Sequence, residues 1–322
     1  MLSNFKEKNI YCCIDSDLDG ICSRLVAESY IEPISKNFFI TNTAQRDMSE
    51  FEEDKADKAE IIIFTDITPT VELYEDLIKR GKEVYIFDHH LSGYELLKDI
   101  VDKNYYYTDE KCGCKILFES LTENTRPNRV LYQIVELCNC YDLFHTKSTM
   151  WQDAKSFNNI LYGYVNWSQS LCDTERNLTF LTNMKYKMEH HKHFSFSDYE
   201  RRLIQNAERK EKSNYKKAKD SLQERVDGEG NTYLYAELVS KLSIVANRFL
   251  DEYGRRIKYV AIHSTYKENA KEEKKVSLRS GKNFDVSKIA EKYGGGGHSQ
   301  ASGLLLSKDD FISFKQGKKH LI

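Results

Sequence analysis

Proline is scarce in this chain, with 3 residues among 322, and tryptophan is scarcer, with 2. So few prolines argue against a disordered, linker-rich chain. The sequence also lacks an apolar run of 18 residues and an N-terminal signal-peptide pattern, so we expect a cytoplasmic protein with no membrane partner. A chain of 322 residues is long enough for two domains, each with its own core.

The 8 cysteines lie mostly in apolar or helical segments, which favours reduced thiols. Four of them form two Cys-x-Cys pairs, Cys112 with Cys114 and Cys138 with Cys140. These pairs could be four zinc ligands. The alternative is that they are small buried side chains in two helices, predicted over 112–121 and 130–141. We favour the helices, because such side chains pack without a metal.

The net charge of −2 hides an uneven distribution along the chain. Residues 201–322 hold 26 Lys and Arg against 16 Asp and Glu, whereas residues 1–200 hold 22 against 34. An acidic half that offers carboxylates to metal ions and a basic half that attracts a polyanion would suit a phosphate-ester substrate. Two solvated surfaces of opposite sign explain much of the same imbalance.

Three short apolar runs each end in an aspartate. The runs are residues 9–15, 60–66 and 83–88. Unbroken runs rich in β-branched residues are typical of strands buried on both faces, and helical patterns over 22–30 and 71–80 lie between them. Strands that alternate with helices predict an α/β fold, with an open, mostly parallel sheet and helices on both faces.

The third run continues into two histidines. The carboxyl ends of parallel strands meet at one edge of a sheet, where such folds bind ligands. That edge would gather five polar residues: Asp15, Asp17, Asp66, Asp88 and His89. Acidic groups so close together repel strongly unless cations lie among them, and Asp with His suits manganese, iron or zinc. The pattern therefore indicates a metal site.

A glycine run near the C-terminus, residues 294–303, reads Gly-Gly-Gly-Gly-His-Ser-Gln-Ala-Ser-Gly. Consecutive glycines let the backbone approach a ligand closely and turn its amides toward an anion. A strand predicted over 276–280 carries Arg279, which binds phosphate well by its chemistry. A glycine run alone is more often a flexible loop, but the run together with His298 and Arg279 is far more specific.

The Asp-His-His motif at 88–90 and the glycine-His motif at 294–303 together resemble the DHH phosphoesterase superfamily with its DHH-associated C-terminal domain. Related families include RecJ-type exonucleases, short-oligonucleotide nucleases, cyclic-dinucleotide phosphodiesterases and manganese pyrophosphatases. The resemblance implies an active site in the cleft between two domains. The implied parts are a catalytic domain over 1–160, a helical connector over 161–225 and a smaller α/β substrate-binding domain over 226–322.

The resemblance also implies roles for individual residues. The metal ligands would be Asp15, Asp17, Asp66, His89 and Asp142. Asp66 would bridge two ions, and Asp142 is preferred to Asp109 and Asp153 as the lone aspartate of the fourth motif. Many family members carry a histidine a few residues before the first aspartates, where this chain has Tyr11 and Cys13. The expected consequence is that the first metal binds more weakly, or that Asp19 or a water molecule takes the place of the histidine.

The remaining roles concern the phosphate group. The residues implied to act on it are Asp88, which orients the site, His90, which meets the scissile phosphate, and Arg279. Those implied to bind substrate are Gly295, Gly296, His298 and Ser302. Two divalent ions are the expected cofactors, manganese first and magnesium second, because oxygen-rich ligands with imidazole suit them.

Three functions follow as hypotheses. The first is hydrolysis of short oligonucleotides or single-stranded nucleic acid from one end, which the RecJ-like Asp-x-Asp-x-Asp-Gly element favours. The second is hydrolysis of cyclic dinucleotides or small nucleotides, and the third is nucleic-acid binding without catalysis. The family also suggests a homodimer. The segment 185–219, with a histidine-rich stretch over 189–193, is predicted to be a solvated helical connector, with contact to nucleic acid or a metal as the alternatives.

Overall fold

Two sheets organise the chain, one in each of two units that comprise Met1–Gln205 and Asn206–Ile322. The structure is a computed structural model, and it describes residues 1–43, 48–101, 103–123, 125–164, 173–238, 242–264 and 274–315. The predicted α/β class is confirmed, with a parallel sheet first, a helical connector after it and a mixed sheet last. The predicted domain limits at residues 160 and 225 stay a prediction.

The first sheet contains five parallel strands. They are β1 (Asn9–Asp15), β2 (Asn37–Thr43), β3 (Ile61–Thr65), β4 (Glu83–Asp88) and β5 (Tyr105–Tyr107). Their order in the sheet is β2-β1-β3-β4-β5. Strand β2 therefore lies on one side of β1 and the later strands lie on the other, so the strand order reverses at β1. In open α/β sheets such a reversal leaves a crevice at the carboxyl ends of the strands.

Helices cover both faces of this sheet, as predicted. In chain order up to the second sheet, the helices are α1 (Leu2–Phe5), α2 (Leu18–Tyr30), α3 (Glu53–Lys58), α4 (Val71–Lys79), α5 (Leu91–Leu97), α6 (Gly113–Thr122), α7 (Arg129–Asp142), α8 (Trp151–Gly163), α9 (Asp173–His190) and α10 (Asp198–Asp220). Successive residues of β1 point to opposite faces. Ile10 and Ile14 therefore pack with α2, α6 and α7, whereas Tyr11 and Cys13 pack with α3 and α4.

Helix α2 begins four residues before the predicted start at residue 22. Asp17 is its N-cap, and its Oδ1 atom accepts hydrogen bonds from the amides of Asp19 at 2.9 Å and Gly20 at 3.2 Å. A capping carboxylate stabilises a helix by about 0.5–2 kcal/mol and lies at the positive end of the helix dipole. The early start places Asp19 in the first turn of α2, where it is fully buried.

The second sheet is mixed, with the strand order β10-β11-β9-β8-β7-β6. Its elements are β6 (Gln223–Val226), β7 (Thr232–Leu238), α11 (Leu242–Tyr253), β8 (Tyr259–Ser264), β9 (Lys274–Ser280), α12 (Ser287–Glu291), β10 (Gly296–His298), β11 (Ala301–Leu306) and α13 (Lys308–Lys315). Tyr235 and Tyr259 pack with α12 and α13, whereas Leu234 and Val260 pack with α11. The strand predicted over 276–280 forms most of β9.

The connector region consists of α9 and α10, and most of the segment 185–219, predicted to be a helical connector, lies within these two helices. At the end of α9, the rings of His190 and His191 lie 4.4 and 6.0 Å from that of Tyr186. Among the described residues, this histidine-rich stretch forms no group of three ligand atoms close enough to hold a metal ion. No helix in the described part of the chain has the length and apolar character needed to cross a membrane.

Candidate metal centre

Three aspartates lie side by side at one edge of the first sheet. The pairing register aligns the ends of β1, β3 and β4, so Asp15, Asp66 and Asp88 come next to one another. The edge is the one at which the strand order reverses, where a ligand is expected. The sheet therefore brings together acidic groups that lie far apart in the sequence.

His89 lies among three carboxylates. Its Nε2 atom is 3.3 Å from Asp66 Oδ1, 3.3 Å from Asp142 Oδ2 and 3.9 Å from Asp19 Oδ2. One ring N–H satisfies at most one acceptor, and the described residues give neither Asp66 Oδ1 nor Asp142 Oδ2 a hydrogen bond. A buried polar group without a partner costs about 1–3 kcal/mol, and more if it is charged. Two buried acceptor oxygens without a donor indicate that a cation binds between them.

Burial and mutual repulsion raise the pKa of several carboxyl groups at this edge. Burial, followed by the charges of Asp19 and Asp17, raises the pKa of Asp66 well above its ordinary value. Burial and the charge of Asp142 raise the pKa of Asp19 to about 7, and burial and the charge of Asp17 raise the pKa of Asp15 to about 7. Divalent cations would offset this repulsion and keep the groups ionised. Several carboxylates with one imidazole fit manganese or magnesium better than zinc.

Two groups of potential ligands adjoin each other. The first group is Asp19, His89 and Asp142, the second is Asp66, Asp88 and His90, and the ligand atoms within each group lie within 4.8 Å of one another. Asp66 Oδ1 also contacts His89 Nε2 at 3.3 Å and lies 3.8 Å from His90 Nδ1. Asp66 thus lies next to residues of both groups, and bridging stays a prediction for it.

The backbone of Asp66 is held in an uncommon conformation. Its φ angle is 59°, in the left-handed region that residues other than glycine rarely adopt. Its amide donates to the carbonyl of Phe87 at 2.9 Å. The first residue of α6 packs directly against it, since a Cβ atom on Gly113 would lie 2.9 Å from the nitrogen of Asp66. Only glycine permits this close approach.

Asp88 and His90 form a buried pair next to Asp66. Asp88 Oδ1 lies 2.7 Å from His90 Nδ1 and accepts hydrogen bonds from the amides of His89 and His90, and the Thr68 hydroxyl donates to its other oxygen. Burial disfavours both charges, but the hydrogen bond outweighs it, lowering the pKa of Asp88 to about 2 and raising that of His90 to about 9. Asp88 therefore holds the His90 imidazole by its Nδ1 atom and favours its cationic form.

The two aspartates of the first motif are less enclosed. Asp17 is exposed and caps α2, whereas Asp15 is partly buried and accepts a hydrogen bond from the amide of Ser16 at 2.5 Å. Their charges nevertheless contribute to the raised pKa of Asp66. Asp15 and Asp17 thus line the outer side of the cluster.

Other sequence candidates lie apart from this cluster. Asp109 and Asp153 are exposed, whereas Asp142, at the end of α7, faces His89. Tyr11 and Cys13 are buried in the apolar cluster on the face covered by α3 and α4, and the Tyr11 hydroxyl accepts a hydrogen bond from the amide of Glu52 at 3.0 Å.

Asp19 is the main site residue that sequence reasoning underestimates. Its two oxygens accept hydrogen bonds of 2.7 Å each from the amides of Gly113 and Cys114, at the start of α6. A carboxylate at a helix N-terminus is stabilised by the helix dipole and by the amides that lack a partner within the helix. The signal in the sequence is the third aspartate of Asp-x-Asp-x-Asp-Gly, but the partner segment lies about 95 residues further along the chain.

In the second unit, Arg279 and His298 share a row across adjacent strands. Ala301 pairs with Arg279 on β9 and with His298 on β10, so the three side chains lie on one face. The Arg279 guanidinium donates to the Leu278 carbonyl at 2.7 Å and to the Ser243 hydroxyl at 2.5 Å. These bonds fix its orientation.

The glycine run has a structural role in this sheet. A Cβ atom on Gly295 would lie 2.2 Å from the carbonyl oxygen of Gly303, so the run packs backbone against backbone. The Ser302 hydroxyl donates to the His298 carbonyl at 2.7 Å, which braces the hairpin between β10 and β11. The predicted substrate-binding residues Gly295, Gly296, His298 and Ser302 are thus parts of one hairpin, and their binding role stays a prediction.

The fold and this edge define an α/β protein with carboxylate and imidazole side chains gathered at the carboxyl ends of a parallel sheet. Residues 9–140 match the family model of the DHH family, N-terminal domain, and residues 230–317 match that of the DHHA1 domain. The chain therefore belongs to the DHH family of phosphoesterases and carries both domains in the order that its motifs predict.

Individual relatives are distant. The chain is 26% identical to oligoribonuclease NrnB of Bacillus subtilis over 312 residues, which cover 93% of this chain and 73% of NrnB. The pGpG-specific phosphodiesterase PggH of Vibrio cholerae has a similar fold, with 12% identity, a TM-score of 0.55 and coverage of 95% of this chain and 96% of PggH. Exonuclease RecJ bound to manganese has 15% identity and a TM-score of 0.58, with coverage of 99% of this chain and 91% of RecJ.

Proposed function

We propose that this chain is a manganese-dependent phosphodiesterase that hydrolyses short oligonucleotides or single-stranded nucleic acid from one end. The observation that carries the proposal is the cluster in which Asp66 and Asp142 face His89, because carboxylates packed so closely need divalent cations. The similarity to an oligoribonuclease supports the substrate class, and the fold shared with a manganese-bound exonuclease supports the ion.

Different residues have different roles in the proposed reaction. Two ions, held by Asp15, Asp17, Asp66, His89 and Asp142, would supply an activated water and would offset the charge that grows on the phosphoryl oxygens. Asp88 holds the imidazole of His90 by its Nδ1 atom, so the cationic ring is oriented before substrate binds. His90 then stabilises the phosphoryl oxygens by a charge-assisted hydrogen bond that strengthens in the transition state.

Substrate binding is assigned to the Arg279–His298 row and its hairpin. A guanidinium fixed by Ser243 and a carbonyl offers N–H groups to phosphate with little loss of side-chain entropy on binding. The glycine-rich hairpin adds backbone amides close to the same row. One guanidinium with the neighbouring hairpin suits a terminal phosphate or nucleotide, which accounts for attack from an end.

The test incubates labelled short RNA, short DNA, longer single strands and cyclic dinucleotides with the chelator-treated protein, with and without manganese. We expect stepwise release of mononucleotides from short strands only when manganese is present. Asp109→Asn, an exposed acid outside the cluster, is the matched control for Asp66→Asn and should keep full activity. If only cyclic dinucleotides were hydrolysed, the second hypothesis, a cyclic-dinucleotide phosphodiesterase, would replace this proposal. Binding of the strands without hydrolysis would contradict it.

A further inference from the structure

A series of hydrogen bonds extends from the Asp88–His90 pair to the outer strand of the first sheet. Thr68 lies in the loop between β3 and α4, shortly after Asp66, and its hydroxyl donates to Asp88 Oδ2. The same Thr68 oxygen lies 3.2 Å from the hydroxyl of Tyr105 on β5. A hydroxyl has one proton to donate, and Thr68 gives its proton to the carboxylate. Tyr105 is therefore the donor to Thr68, so the series runs from Tyr105 through Thr68 to Asp88.

The two oxygens of Asp88 bind different groups. Oδ1 lies 2.7 Å from His90 Nδ1, whereas Oδ2 accepts the Thr68 hydroxyl. A planar carboxylate bound at both oxygens cannot rotate without losing one of its bonds, so the Thr68 hydroxyl fixes the plane in which Oδ1 meets the imidazole. Asp88 is fully buried, and bulk water cannot take the place of this hydroxyl. A donor on Oδ2 also favours the ionised carboxylate that a cationic ring needs as its partner.

Helix α5 packs over the same hydroxyl groups. A Cβ atom on Gly93 would lie 2.2 Å from Thr68 Oγ1 and 3.0 Å from Asp88 Oδ2, so any larger residue would displace the hydroxyl. The ring of Tyr94 meets that of Tyr105 edge-on, with the centroids 5.8 Å apart. Burial raises the pKa of Tyr105, which keeps its hydroxyl protonated as a donor. The packing thus holds both hydroxyls in the positions from which they donate.

We propose that Thr68 and Tyr105 are positioning residues that act through Asp88 on the imidazole of His90. The inference rests on the proposed function, in which His90 stabilises the phosphoryl oxygens, and it adds two side chains that do not themselves touch the substrate. A hydrogen bond that strengthens in the transition state depends on the orientation of its donor. Loss of the Thr68 hydroxyl should therefore lower kcat and leave KM unchanged.

The kinetic test compares two substitutions of the same residue. Thr68→Val removes the hydroxyl and keeps a β-branched side chain, whereas Thr68→Ser keeps the hydroxyl. On a short oligonucleotide, we expect kcat to fall about tenfold in Thr68→Val and to recover in Thr68→Ser, with KM unchanged in both. Tyr105→Phe, which removes the outer donor alone, should lower kcat less. Thr122→Val is the matched control and should keep wild-type kinetics, because the Thr122 hydroxyl donates to the carbonyl of Phe118 within α6.

A second measurement needs no turnover. A proton held between an imidazole nitrogen and a carboxylate gives a proton magnetic resonance far downfield, and its loss in His90→Gln assigns it to the Asp88–His90 bond. Spectra are recorded with magnesium, which is diamagnetic. We expect the resonance in the wild-type chain, in Thr68→Ser and in Thr122→Val. In Thr68→Val it should move upfield or disappear through faster exchange with water.

The outcomes separate this inference from the proposed function. A wild-type chain without the resonance, an unchanged resonance in Thr68→Val, or a fall in kcat that Thr68→Ser does not reverse would overturn the inference. If Thr68→Val does not fold, the resonance in Tyr105→Phe takes its place. The control is then Tyr85→Phe, since the Tyr85 hydroxyl donates to Glu83 at 2.6 Å. A wild-type chain that hydrolyses no substrate, but whose resonance responds to Thr68→Val as expected, would contradict the proposed function alone.

Discussion

The two sheets hold their predicted site residues in opposite electrostatic conditions. At the edge of the first sheet, acidic groups are buried against one another, and oxygens of Asp66 and Asp142 have no hydrogen-bond donor among the described residues. In the second sheet, Arg279 is held by Ser243 and by the carbonyl of Leu278. The first arrangement is incomplete without cations, whereas the second is held by the protein's own hydrogen bonds.

This difference assigns separate tasks to the two sheets. Groups that repel one another in the free protein are stabilised only when cations bind, so changes at the first sheet should act on kcat. A preorganised guanidinium binds ground state and transition state alike, so changes at the second sheet should act on KM. The predictions below test this division, beginning with the largest expected effect.

Replacing the central carboxylate should have the largest effect. Asp66→Asn removes an oxygen that faces both histidines, and kcat should fall about 10³-fold, which corresponds to about 4 kcal/mol of transition-state stabilisation. Steady-state kinetics on a short oligonucleotide at saturating manganese measure the change, with Asp109→Asn as the control. A fall in kcat of less than tenfold would show that Asp66 is dispensable for the chemistry.

Breaking the Asp88–His90 pair should have the second largest effect. Asp88→Asn keeps the shape of the side chain but removes the charge that orients the imidazole, so kcat should fall about 10- to 100-fold with little change in KM. The pH profile distinguishes orientation from folding, since loss of the Asp88 carboxylate should lower the pKa of His90 and shift the profile toward lower pH. An unchanged profile would contradict the role of Asp88.

Closing the space at the start of α6 should destabilise the first sheet. A Cβ atom in Gly113→Ala would press on the backbone of Asp66, so the free energy of unfolding should fall by about 1–3 kcal/mol. Chemical denaturation measures the difference. Gly281→Ala is the matched control, because a Cβ atom there meets nothing within 4 Å. Equal stabilities of the two variants would mean that the close approach is unimportant.

The smallest effect is expected in the second sheet. Arg279→Ala removes a charged donor, so KM should rise about tenfold while kcat changes little. Arg256→Ala, which removes an exposed arginine paired with Glu224, should leave both constants unchanged. If Arg279→Ala lowered kcat and left KM unchanged, the division of tasks between the sheets would be wrong.

The sequence was sufficient to predict the strand ends. Apolar runs that close on Asp15, Asp66 and Asp88 are local patterns, and parallel strands align their carboxyl ends by necessity. The burial of Asp19 could not be predicted in this way. It depends on amides of α6, and nothing near Asp19 in the sequence indicates that these amides reach it.

The cysteines show that residues close in the sequence can have different surroundings in the fold. Spacing groups Cys138 with Cys140, but residues two positions apart in a helix do not face the same direction. In the structure the Cys138 thiol approaches Asp19 Oδ1 at 3.7 Å, whereas the Cys140 thiol approaches the carbonyl of His145 at 3.9 Å.

The most direct test of the metal centre is anomalous diffraction at the manganese edge from crystals grown with manganese. Two peaks should appear at the edge of the first sheet, one contacting His89 and Asp142 and both contacting Asp66. The same experiment on Asp66→Asn should show at most one peak. A wild-type crystal with no manganese peak near Asp66 and His89, at a concentration that supports hydrolysis, would contradict the two-ion centre.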